Sequence, residues 1–498
     1  MFREEPMSRI NTNVSALQAI SQLTQNQADL STRLERLSSG FRINRGADDP
    51  AGLIASESLR SEIRGLQAAI DNSTRAINVI STADAALGEV SKLLLEVKAL
   101  VNSSTNSGAL SDDEVQANQL QIDSLLESIN RVANSTQFNG KKLLNGELAY
   151  TISGQNSDQL QRLQIFGARI PSNASLPVTV QVTQSAQTAL LSIDQGGASG
   201  LSAAGTDTTL ASGNSVTLEV RGRLGTNIFT FDGGTTVSAI AATITSFSTL
   251  TGVSASVVTA TGGSSTGLQF SSTGYGSDEF VSVRAITGTF GVNPGDQGDN
   301  EDRGRDAGVL INGQSANVKG LIARIRTSGL DLVADLSTDF GTTLSSSTFR
   351  ITGGGANFQI GPQVNSDGLL SIGIPSITTS NLGDSSNGFL NSLGSGGDTR
   401  ITDSNNHPTA AAIVQSAIEQ IATLSGRLGG FQANQVETNL NSVRVALENV
   451  QASESTIRDT DYAVEVANLT RAQILVQSTT QILGLANQLP QNVLSLLR

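Results

Sequence analysis

Paired carboxylates are the first residues in this chain that could do chemistry. Asp48 and Asp49 in "GADDP" could hold a cation, and "DNED" at 299–302 could supply the two acids of glycoside hydrolysis. Asp49 stands directly before Pro50, however, which is the arrangement of an N-cap followed by a first-turn proline. "DNED" lies in the polar, glycine-containing run "NPGDQGDNEDRGRD", which is typical of a solvated linker. The sequence therefore favours a helix start at residues 48–50 and linker charge at 299–302.

The other motifs for catalysis or ligand binding are incomplete. His407 is the single histidine and there is no cysteine, so neither an HExxH zinc site nor a thiolate site can form. A Ser-His-Asp arrangement would have to use His407, and no nucleophile elbow accompanies it. The glycine-rich run at 353–361 lacks the Lys-Ser/Thr of a phosphate loop and favours a hairpin. We therefore expect no enzyme activity, no metal and no cofactor.

Charge and composition narrow the class of partner. The 498 residues carry 44 acidic and 31 basic side chains, and a net charge of −13 disfavours nucleic acid. No apolar run reaches the roughly 18 residues of a membrane span, so we expect no membrane insertion. Aromatic residues make up 4% and tryptophan is absent, so the chain lacks the usual large anchors of a compact core.

Proline and glycine divide the chain into three parts. No proline lies in 51–170 or 409–489, and 38 of the 50 glycines lie in 151–408. Because both residues interrupt helices, this distribution predicts long helices at both ends, with coiled-coil termini, and a β-rich or α+β middle region inserted between them.

The N-terminal part carries a heptad, followed by two further helix signals. A second helix is expected from Pro50 to about Val101, and Ser111 with Glu114 predicts the capping box of a third. Asn139-Gly140 predicts a hairpin turn. The heptad positions, spaced by four and three, are Ala16, Ile20, Leu23, Gln27, Leu30, Leu34, Leu37 and Phe41.

The C-terminal part predicts one long helix after Pro408, loosened at Gly429-Gly430, then a break near 458–461 and a final helix. That final helix shows two rows with a spacing of seven. One row is Leu469, Val476 and Leu483, and the other is Leu475, Ile482 and Leu489.

The middle combines short period-two segments with one helical pattern, from Val237 to Phe247. Two modules joined by a linker near 290–307 are expected. The predicted organisation is 1–48, N-terminal coiled coil; 49–165, helical core with hairpin; 166–300, α+β module; 301–408, second β-rich module; 409–457, long C-terminal helix; and 458–498, C-terminal coiled coil.

The two ends are unusually free of charge. Residues 10–28 contain none, and residues 473–497 contain none. Solvent-facing flanks usually carry charge, so its absence predicts that the flanks are buried against other copies of the chain. We therefore expect both ends to be disordered or loosely helical in the monomer and to fold on polymerisation. A coiled-coil dimer remains an equally good explanation of the composition.

The same ends carry a family resemblance. "INTNVSALQA", "LERLSSGFRINRGADDPAGLIASESLRSEIRGL" and "INRVANSTQFNGKKLLNG" resemble the start of bacterial flagellins, and "TDYAVEVANLTRAQILVQSTTQILGLANQLPQNVLSLLR" is similar to their end. Residues 230–257 resemble the hook-IN motif of flagellar proteins. The resemblance covers about 7–150 and 409–498. It implies that the two ends form an inner tube and the long helices a second layer, with the bend between the layers at Asp48, Asp49 and Pro50. It implies a secreted, self-assembling subunit of the extracellular flagellar filament, exported unfolded by the type III route without a cleaved signal.

The resemblance also implies partners, with one departure. Further copies of the chain, an export chaperone, the filament cap and the hook–filament junction proteins are expected. Where many flagellins carry the Gln-Arg-Val-Arg-Glu-Leu stretch recognised by the innate receptor TLR5, this chain has Leu95, Glu96, Val97, Lys98, Ala99 and Leu100. Glu96 reverses one charge, which predicts weakened TLR5 activation.

Two alternatives to a filament subunit stay open. A hook–filament junction protein shares the same ends, although "PQNVLSLL" and the large middle favour a flagellin. A coiled-coil surface adhesin would also be acidic and free of cysteine, but it should keep an N-terminal signal.

Overall fold

The computed structural model describes residues 12–106, 110–170, 175–193, 201–204, 207–210, 213–259, 266–290, 300–327, 329–384 and 387–496. The chain forms two compact units. We call residues 1–72, 360–364 and 438–498 the terminal unit, and residues 73–359 and 365–437 the body unit.

Helices dominate the two ends, as the proline and glycine distribution predicts. They are α1 (Val14–Ser39), α2 (Pro50–Ser104), α3 (Asp112–Ser135), α4 (Val237–Ser246), α5 (Ser248–Thr251), α6 (Thr338–Gly341), α7 (His407–Phe431), α8 (Thr438–Arg458) and α9 (Tyr462–Leu496). A π-helical turn, Gln432–Glu437, joins α7 to α8, and short 3₁₀ turns span Leu390–Leu393 and Ser404–Asn406.

Local hydrogen bonds start these helices where the sequence predicts. The Asp49 carboxylate accepts a hydrogen bond from the Gly52 amide at 2.9 Å, so Asp49 caps α2. Ser111 and Glu114 form the predicted capping box of α3. Gly40 ends α1 in the left-handed region, at φ 76°, which glycine adopts without strain.

The C-terminal helical stretch is continuous but changes its winding. The predicted loosening at Gly429-Gly430 does not break the helix. The wider π turn follows immediately, at Gln432–Glu437, and a π turn is a local insertion in an otherwise α-helical segment.

The middle of the chain is built from short antiparallel strands. They are β1 (Gln137–Phe138), β2 (Lys141–Lys142), β3 (Tyr150–Ser153), β4 (Leu160–Ala168), β5 (Leu176–Gln184), β6 (Leu190–Ile193), β7 (Leu201–Ala204), β8 (Asp207–Leu210), β9 (Val216–Gly222), β10 (Thr226–Phe231), β11 (Val253–Thr259), β12 (Thr266–Ser272), β13 (Phe280–Thr287), β14 (Glu301–Arg303), β15 (Gly308–Ile311), β16 (Gln314–Ser315), β17 (Asn317–Lys319), β18 (Ile322–Arg326), β19 (Leu330–Leu336), β20 (Ser346–Gly354), β21 (Ala356–Gln359), β22 (Leu369–Ile372), β23 (Gly383–Asp384) and β24 (Gly388–Phe389).

The β1–β2 hairpin forms at the predicted Asn-Gly turn. Asn139 and Gly140 have φ values of 49° and 81°, the positive angles that a type I′ turn requires. The glycine-rich residues 353–361 do not form the hairpin expected there, because β20 and β21 lie in different sheets and β21 pairs with β22 instead.

The sheets divide the middle differently from the predicted boundaries at 166 and 301. One core lies under the sheets β10-β9-β13-β14 and β11-β12-β6 together with α4, and it draws on residues 189–290. The other lies under β16-β15-β5-β20-β3 and β17-β18-β19-β4, and it combines residues 150–186 with 307–351. The predicted boundaries are wrong because strand pairing joins segments more than a hundred residues apart, which local patterns do not reveal.

The predicted linker near 290–307 also needs correction over its described part, 300–307. Glu301–Arg303 form β14, which pairs with β13. Asp302 is buried and accepts a hydrogen bond from the Leu190 amide at 2.6 Å. Asp306 accepts hydrogen bonds from the amides of Ser277 and Gly320. These acidic residues therefore bond backbone amides of neighbouring segments and are not linker charge; residue 299 lies outside the described residues.

The terminal unit differs from the expectation of loosely ordered ends. In the single chain, α1 and α9 are both helical and lie against each other. That expectation is wrong because each helix supplies the other with a partner inside the same molecule. Within the described residues, no helix combines the length and apolar character that a membrane crossing requires.

A loop between β21 and β22 belongs to the terminal unit. Its residues 360–364 lie against α2, where a side chain at Gly65 would come within 2.8 Å of the Pro362 carbonyl oxygen. Glycine is therefore needed at this point of α2 for the close approach of the loop.

Candidate assembly interface

The first and last helices of the chain run antiparallel to each other. Near the start of α1, Asn13 donates to the Ala486 carbonyl at 2.7 Å. Farther along, Asn26 donates to the Thr479 hydroxyl at 3.4 Å, and Arg33 approaches Glu465 at 3.3 Å. Since low numbers on α1 meet high numbers on α9, the pair is an antiparallel coil.

A regular seam of the less exposed residues follows each helix, with spacings of three and four. On α1 the seam residues are Ala16, Ala19, Leu23, Asn26, Leu30, Arg33 and Leu37. On α9 they are Glu465, Leu469, Ala472, Val476, Thr479, Leu483 and Ala486.

The structure places about half of the predicted assembly positions in this seam. Ala16, Leu23, Leu30 and Leu37 lie in it, as do Leu469, Val476 and Leu483. Ile20, Gln27, Leu34 and Phe41 are exposed instead, and so are Leu475 and Ile482. The side chain of Leu489 lies outside the described residues.

The second row of the seam is small or polar, which is why the apolar pattern alone misplaced it. Ala19, Asn26 and Arg33 occupy the positions where Ile20, Gln27 and Leu34 were expected. Asn26 and Arg33 are stabilised there by Thr479 and Glu465, which the sequence of one helix cannot reveal. The signal in the sequence that could have revealed this row is the presence of two charged residues, Arg33 and Glu465, at a spacing that apolar residues otherwise follow.

The Arg33–Glu465 ion pair specifies how the two helices align. The Glu465 side chain is 7% exposed and that of Arg33 is 25% exposed, and Arg33 also contacts Asp29 at 3.1 Å. A shift of one helix along the other would leave a buried carboxylate without its partner, which is strongly unfavourable. Such polar pairs fix the register of coiled coils.

The seam buries only part of its apolar surface. Among the described side chains of α1 and α9, the buried apolar ones are the alanines Ala16, Ala19, Ala472 and Ala486, whereas the larger leucines and the valine of the seam are only partly buried. Apolar burial stabilises in proportion to area, at about 25 cal/mol per Å², so alanines contribute little each. The pair therefore gains less from its own seam than it would from a core of buried leucines.

Large apolar side chains remain exposed around the pair. Ile20 is 48% exposed and Ile482 is 52% exposed. The chain carries no charge in α1 before Asp29, and Glu465 and Arg471 are the only charged residues of the α9 sequence. The exposed apolar set, which we call the flank residues, is Val14, Leu17, Ile20, Leu34, Tyr462, Val464, Val466, Ile474, Leu475, Ile482 and Leu485.

Two rows of flank residues lie on opposite sides of the coil. Ile20 and Leu34 come one position after seam residues of α1, whereas Leu475 and Ile482 come one position before seam residues of α9. In an antiparallel pair, positions that follow the seam on one helix lie beside positions that follow it on the other. The pair therefore presents two different apolar sides.

The predicted bend at residues 48–50 is held by backbone hydrogen bonds. Asp48 accepts from the amides of Arg45 at 2.9 Å and Asn44 at 3.0 Å. These bonds, that from Arg45 first, lower the pKa of the Asp48 carboxyl below its ordinary value. Both aspartates thus bond the backbone at the start of α2. In the described part of the chain, no cluster of three or more His, Asp or Glu could hold a metal ion.

The stretch that corresponds to the receptor motif lies on α2. Leu95 and Glu96 are exposed, whereas Val97 is fully buried. Lys98 donates to the Gln415 side chain at 2.7 Å. The reversed charge at Glu96 therefore faces solvent.

Two further titratable residues, His407 and Asp335, are buried in the body unit and form hydrogen bonds there. His407 is buried at the start of α7, with Nε2 2.8 Å from the Ile401 carbonyl oxygen. Asp335, in β19, accepts a hydrogen bond from Arg162 Nε at 3.0 Å. Burial raises the pKa of Asp335 above its ordinary value, although the Arg162 charge opposes the shift.

Comparison with known proteins bears on both ends of the chain. The family model described as the bacterial flagellin N-terminal helical region matches residues 10–149, and that described as the bacterial flagellin C-terminal helical region matches residues 411–497. The flagellin of Salmonella muenchen is 28% identical, covering 98% of this chain and 99% of the relative. Flagellin B of Helicobacter pylori is 29% identical with the same coverage.

Solved structures give only weak likenesses. FliC from Burkholderia pseudomallei covers 73% of this chain and 99% of its own, at 14% identity and a TM-score of 0.24. The flagellar cap protein FliD from Bdellovibrio bacteriovorus covers 41% and 100%, at 14% identity and a TM-score of 0.27. Scores this low carry no argument.

Family models therefore match both helical ends, and full-length relatives match nearly the whole chain. The long helices and β-rich middle agree with these matches, and we conclude that the chain belongs to the bacterial flagellin family.

Proposed function

We propose that the chain polymerises through the α1/α9 coil, and that neighbouring copies cover its flank residues. As a flagellin, it is a structural subunit of the extracellular flagellar filament, the helical propeller of motility. The observation that carries the proposed contact is the nearly uncharged coil, in which large apolar side chains outside the seam are exposed.

The physical argument concerns the flanks. Contiguous exposed apolar surface on a soluble protein marks an interaction site. Burying a half-exposed Ile or Leu against another copy contributes about 1–2 kcal/mol each, so several of them stabilise a contact well. A charged flank would have to be desolvated in the same contact, at a cost that this coil avoids.

The two different apolar sides support an open polymer over a closed dimer. A closed dimer uses the same surface on both copies, whereas a contact between two different surfaces continues from copy to copy. Ile20 and Leu34 on one side and Leu475 and Ile482 on the other are suited to this second arrangement.

The remaining partners follow from the family. An export chaperone would cover α9 before assembly, and the cap and junction proteins would meet the coil at the two ends of the filament. The role of the subunit is mechanical and not catalytic. Because Glu96 faces solvent on α2, contact with TLR5 is weakened.

Removal of either end tests the proposal. Full-length protein and variants lacking residues 1–39 or 462–498 would be assembled by added salt and examined by electron microscopy and sedimentation. We expect filaments from the full chain and none from either variant, since each lacks one helix of the coil. A matched control, Leu224→Ser with Ile228→Ser, removes exposed apolar side chains from the middle and should leave filaments intact.

Filaments from either shortened chain would contradict the proposal, and an adhesin with an intact stalk would give that result. Loss of filaments in the control would show that the middle, and not the coil, makes the contact.

A further inference from the structure

Two separate loops of the terminal unit lie side by side. The loop after α1 and the loop after α8 form an isolated antiparallel bridge between Phe41 and Asp459. The Arg42 amide donates to the Arg458 carbonyl at 2.7 Å, and the Thr460 amide donates to the Gly40 carbonyl at 3.0 Å. The bend between α1 and α2 and the bend between α8 and α9 are therefore one joint.

At this joint the side chain of Arg458, the last residue of α8, contacts both the loop after α1 and helix α2. Its guanidinium lies over the Phe41 ring, 4.8 Å from the ring centroid. Its Nη1 donates to the Glu57 carboxylate of α2 at 3.0 Å, and the side chain is 15% exposed. Arg458 thus connects the end of α8, the loop after α1 and the first turns of α2.

Arginine is suited to these two contacts at once. Its planar guanidinium can stack on an aromatic ring while an edge nitrogen donates to a carboxylate. A lysine ammonium has no plane and satisfies one such contact at a time. Removal of the Arg458 side chain would therefore release Phe41 and leave the backbone bridge and the hydrogen bond from Arg42 Nη2 to the Ile457 carbonyl, at 2.6 Å, between the loops.

The joint is packed but incompletely bonded. The buried Nε atoms of Arg36 and Arg458 and the buried hydroxyl of Thr460 have no hydrogen-bond partner among the described residues. Unpaired buried donors raise the free energy of the arrangement that contains them. The side-chain contacts of Arg458 must therefore hold a joint whose own polar groups are not fully satisfied.

We infer that Arg458 is a positioning residue for assembly, which locks the two bends together and so sets the direction in which α1 and α9 leave α2 and α8. This inference rests on the proposed function, because the direction of the coil matters when flank residues must meet those of other copies. Arg458 itself touches no neighbouring copy in this role.

The test compares full-length Arg458→Met, Arg458→Lys and Phe41→Leu with the unaltered chain. Critical concentration would be measured by sedimentation, filament pitch by electron microscopy and monomer melting by circular dichroism. We expect each variant to keep its helical content, with a melting shift below about 3 °C. Each should raise the critical concentration at least about threefold, the loss of one partly buried cation–π contact.

Arg60→Met is the matched control. Arg60 also contacts Glu57, at 2.7 Å, but among the described residues it bonds to neither loop. It should leave critical concentration and pitch unchanged. The double variant Phe41→Leu/Arg458→Met should be no worse than the more affected single variant, since both disrupt one contact.

The outcomes separate this inference from the proposed function. Absence of filaments from the unaltered chain would contradict the proposed function. If the unaltered chain assembles but Arg458→Met or Arg458→Lys behaves like it, or Arg60→Met is equally affected, the positioning role of Arg458 is wrong. Should Arg458→Met lose its helices, Phe41→Leu alone decides by the same criteria.

Discussion

The α1/α9 coil and the helical core of the body unit bury their side chains very differently. In the core, α2, α3 and α7 enclose large residues such as Ile80, Leu87 and Leu94, which are fully buried. In the coil, the buried apolar side chains among those the structure describes are alanines, and larger ones such as Ile20 and Ile482 are exposed. The core is therefore complete within one chain, whereas the coil requires other copies to bury its apolar surface.

Polar groups differ in the same way. Gln119, buried in α3, donates to the Leu393 carbonyl at 2.7 Å and accepts from the Ile401 amide at 2.9 Å. At the joint beside the coil, buried donors of Arg36 and Arg458 have no partner among the described residues. The buried amide of Gln119 is therefore bonded through both its nitrogen and its oxygen, whereas the buried Nε atoms at the joint are not.

The largest effect is expected from the flank residues, and only on assembly. Ile20→Ser with Ile482→Ser should raise the critical concentration several hundredfold, because each change removes about 2 kcal/mol of apolar burial. Monomer melting should hardly change, since both side chains are already half exposed. Sedimentation and calorimetry would measure the two quantities. Gln27→Ser, a change between two polar residues in the same row as Ile20, is the control. If the Ile20→Ser/Ile482→Ser variant lost as much monomer stability as assembly free energy, the distinction between the coil and the core would be wrong.

The core should respond in the opposite manner. Leu87→Ala creates a cavity among α2, α3 and α7 and should lower the free energy of unfolding by about 2–5 kcal/mol. Leu95→Ala, on the same helix but 55% exposed, should cost less than about 0.5 kcal/mol. Denaturant unfolding of the monomer would measure both. Similar costs at the two positions would contradict the assignment of α2 to a finished core.

The ion pair of the coil gives a smaller effect. Glu465→Ala should destabilise the coil by about 1–3 kcal/mol, less than a fully buried pair because Arg33 is partly exposed. Arg33→Met/Glu465→Met should recover that stability, since both charges are gone, but lose the register. Because the chain has no cysteine, a cross-link between cysteines at 26 and 479 reports the register directly. Unchanged cross-linking in the double variant would show that other contacts fix the alignment.

The smallest effect concerns acid, and its sign differs between the units. Hydrogen bonds from Arg45 and Asn44 lower the pKa of Asp48, so their stabilisation is present above the ordinary value of 3.8 and is lost as pH falls through the lowered pKa. Burial raises the pKa of Asp335, so stability near β19 is lost as pH rises from 3.8 through the raised pKa. Amide hydrogen exchange, corrected for intrinsic rates, would measure the pH dependence at Asp48 in residues 41–49 and at Asp335 in residues 330–336. Asp48→Asn and Asp335→Asn should flatten the respective profiles, and profiles that remain would exclude these carboxyls as the cause.

Features set by neighbouring residues were predictable from the sequence. The Ser111–Glu114 capping box, the Asn139-Gly140 turn and the Asp49 cap all depend on atoms within four positions. The helix-rich ends followed from proline and glycine, and the family resemblance was carried by the same ends.

Features set by distant residues were not predictable. Whether Ala19 or Ile20 faces α9 depends on Thr479 and Glu465, more than 400 positions away. The buried role of Asp302 depends on Leu190, and the sheet order depends on pairing of β5 with β15 and β20. A local pattern records the character of a residue but not which distant partner it meets.

Because α1 pairs with α9, the first helix cannot find its partner until nearly the whole chain has been delivered to the same place. Closing so long a loop is slow, and the contact forms late. A chain that is cut short has no α9, so its α1 stays single and cannot join a growing end. Because the first helix must pair with the last, only chains that contain both helices can join the growing end of the filament.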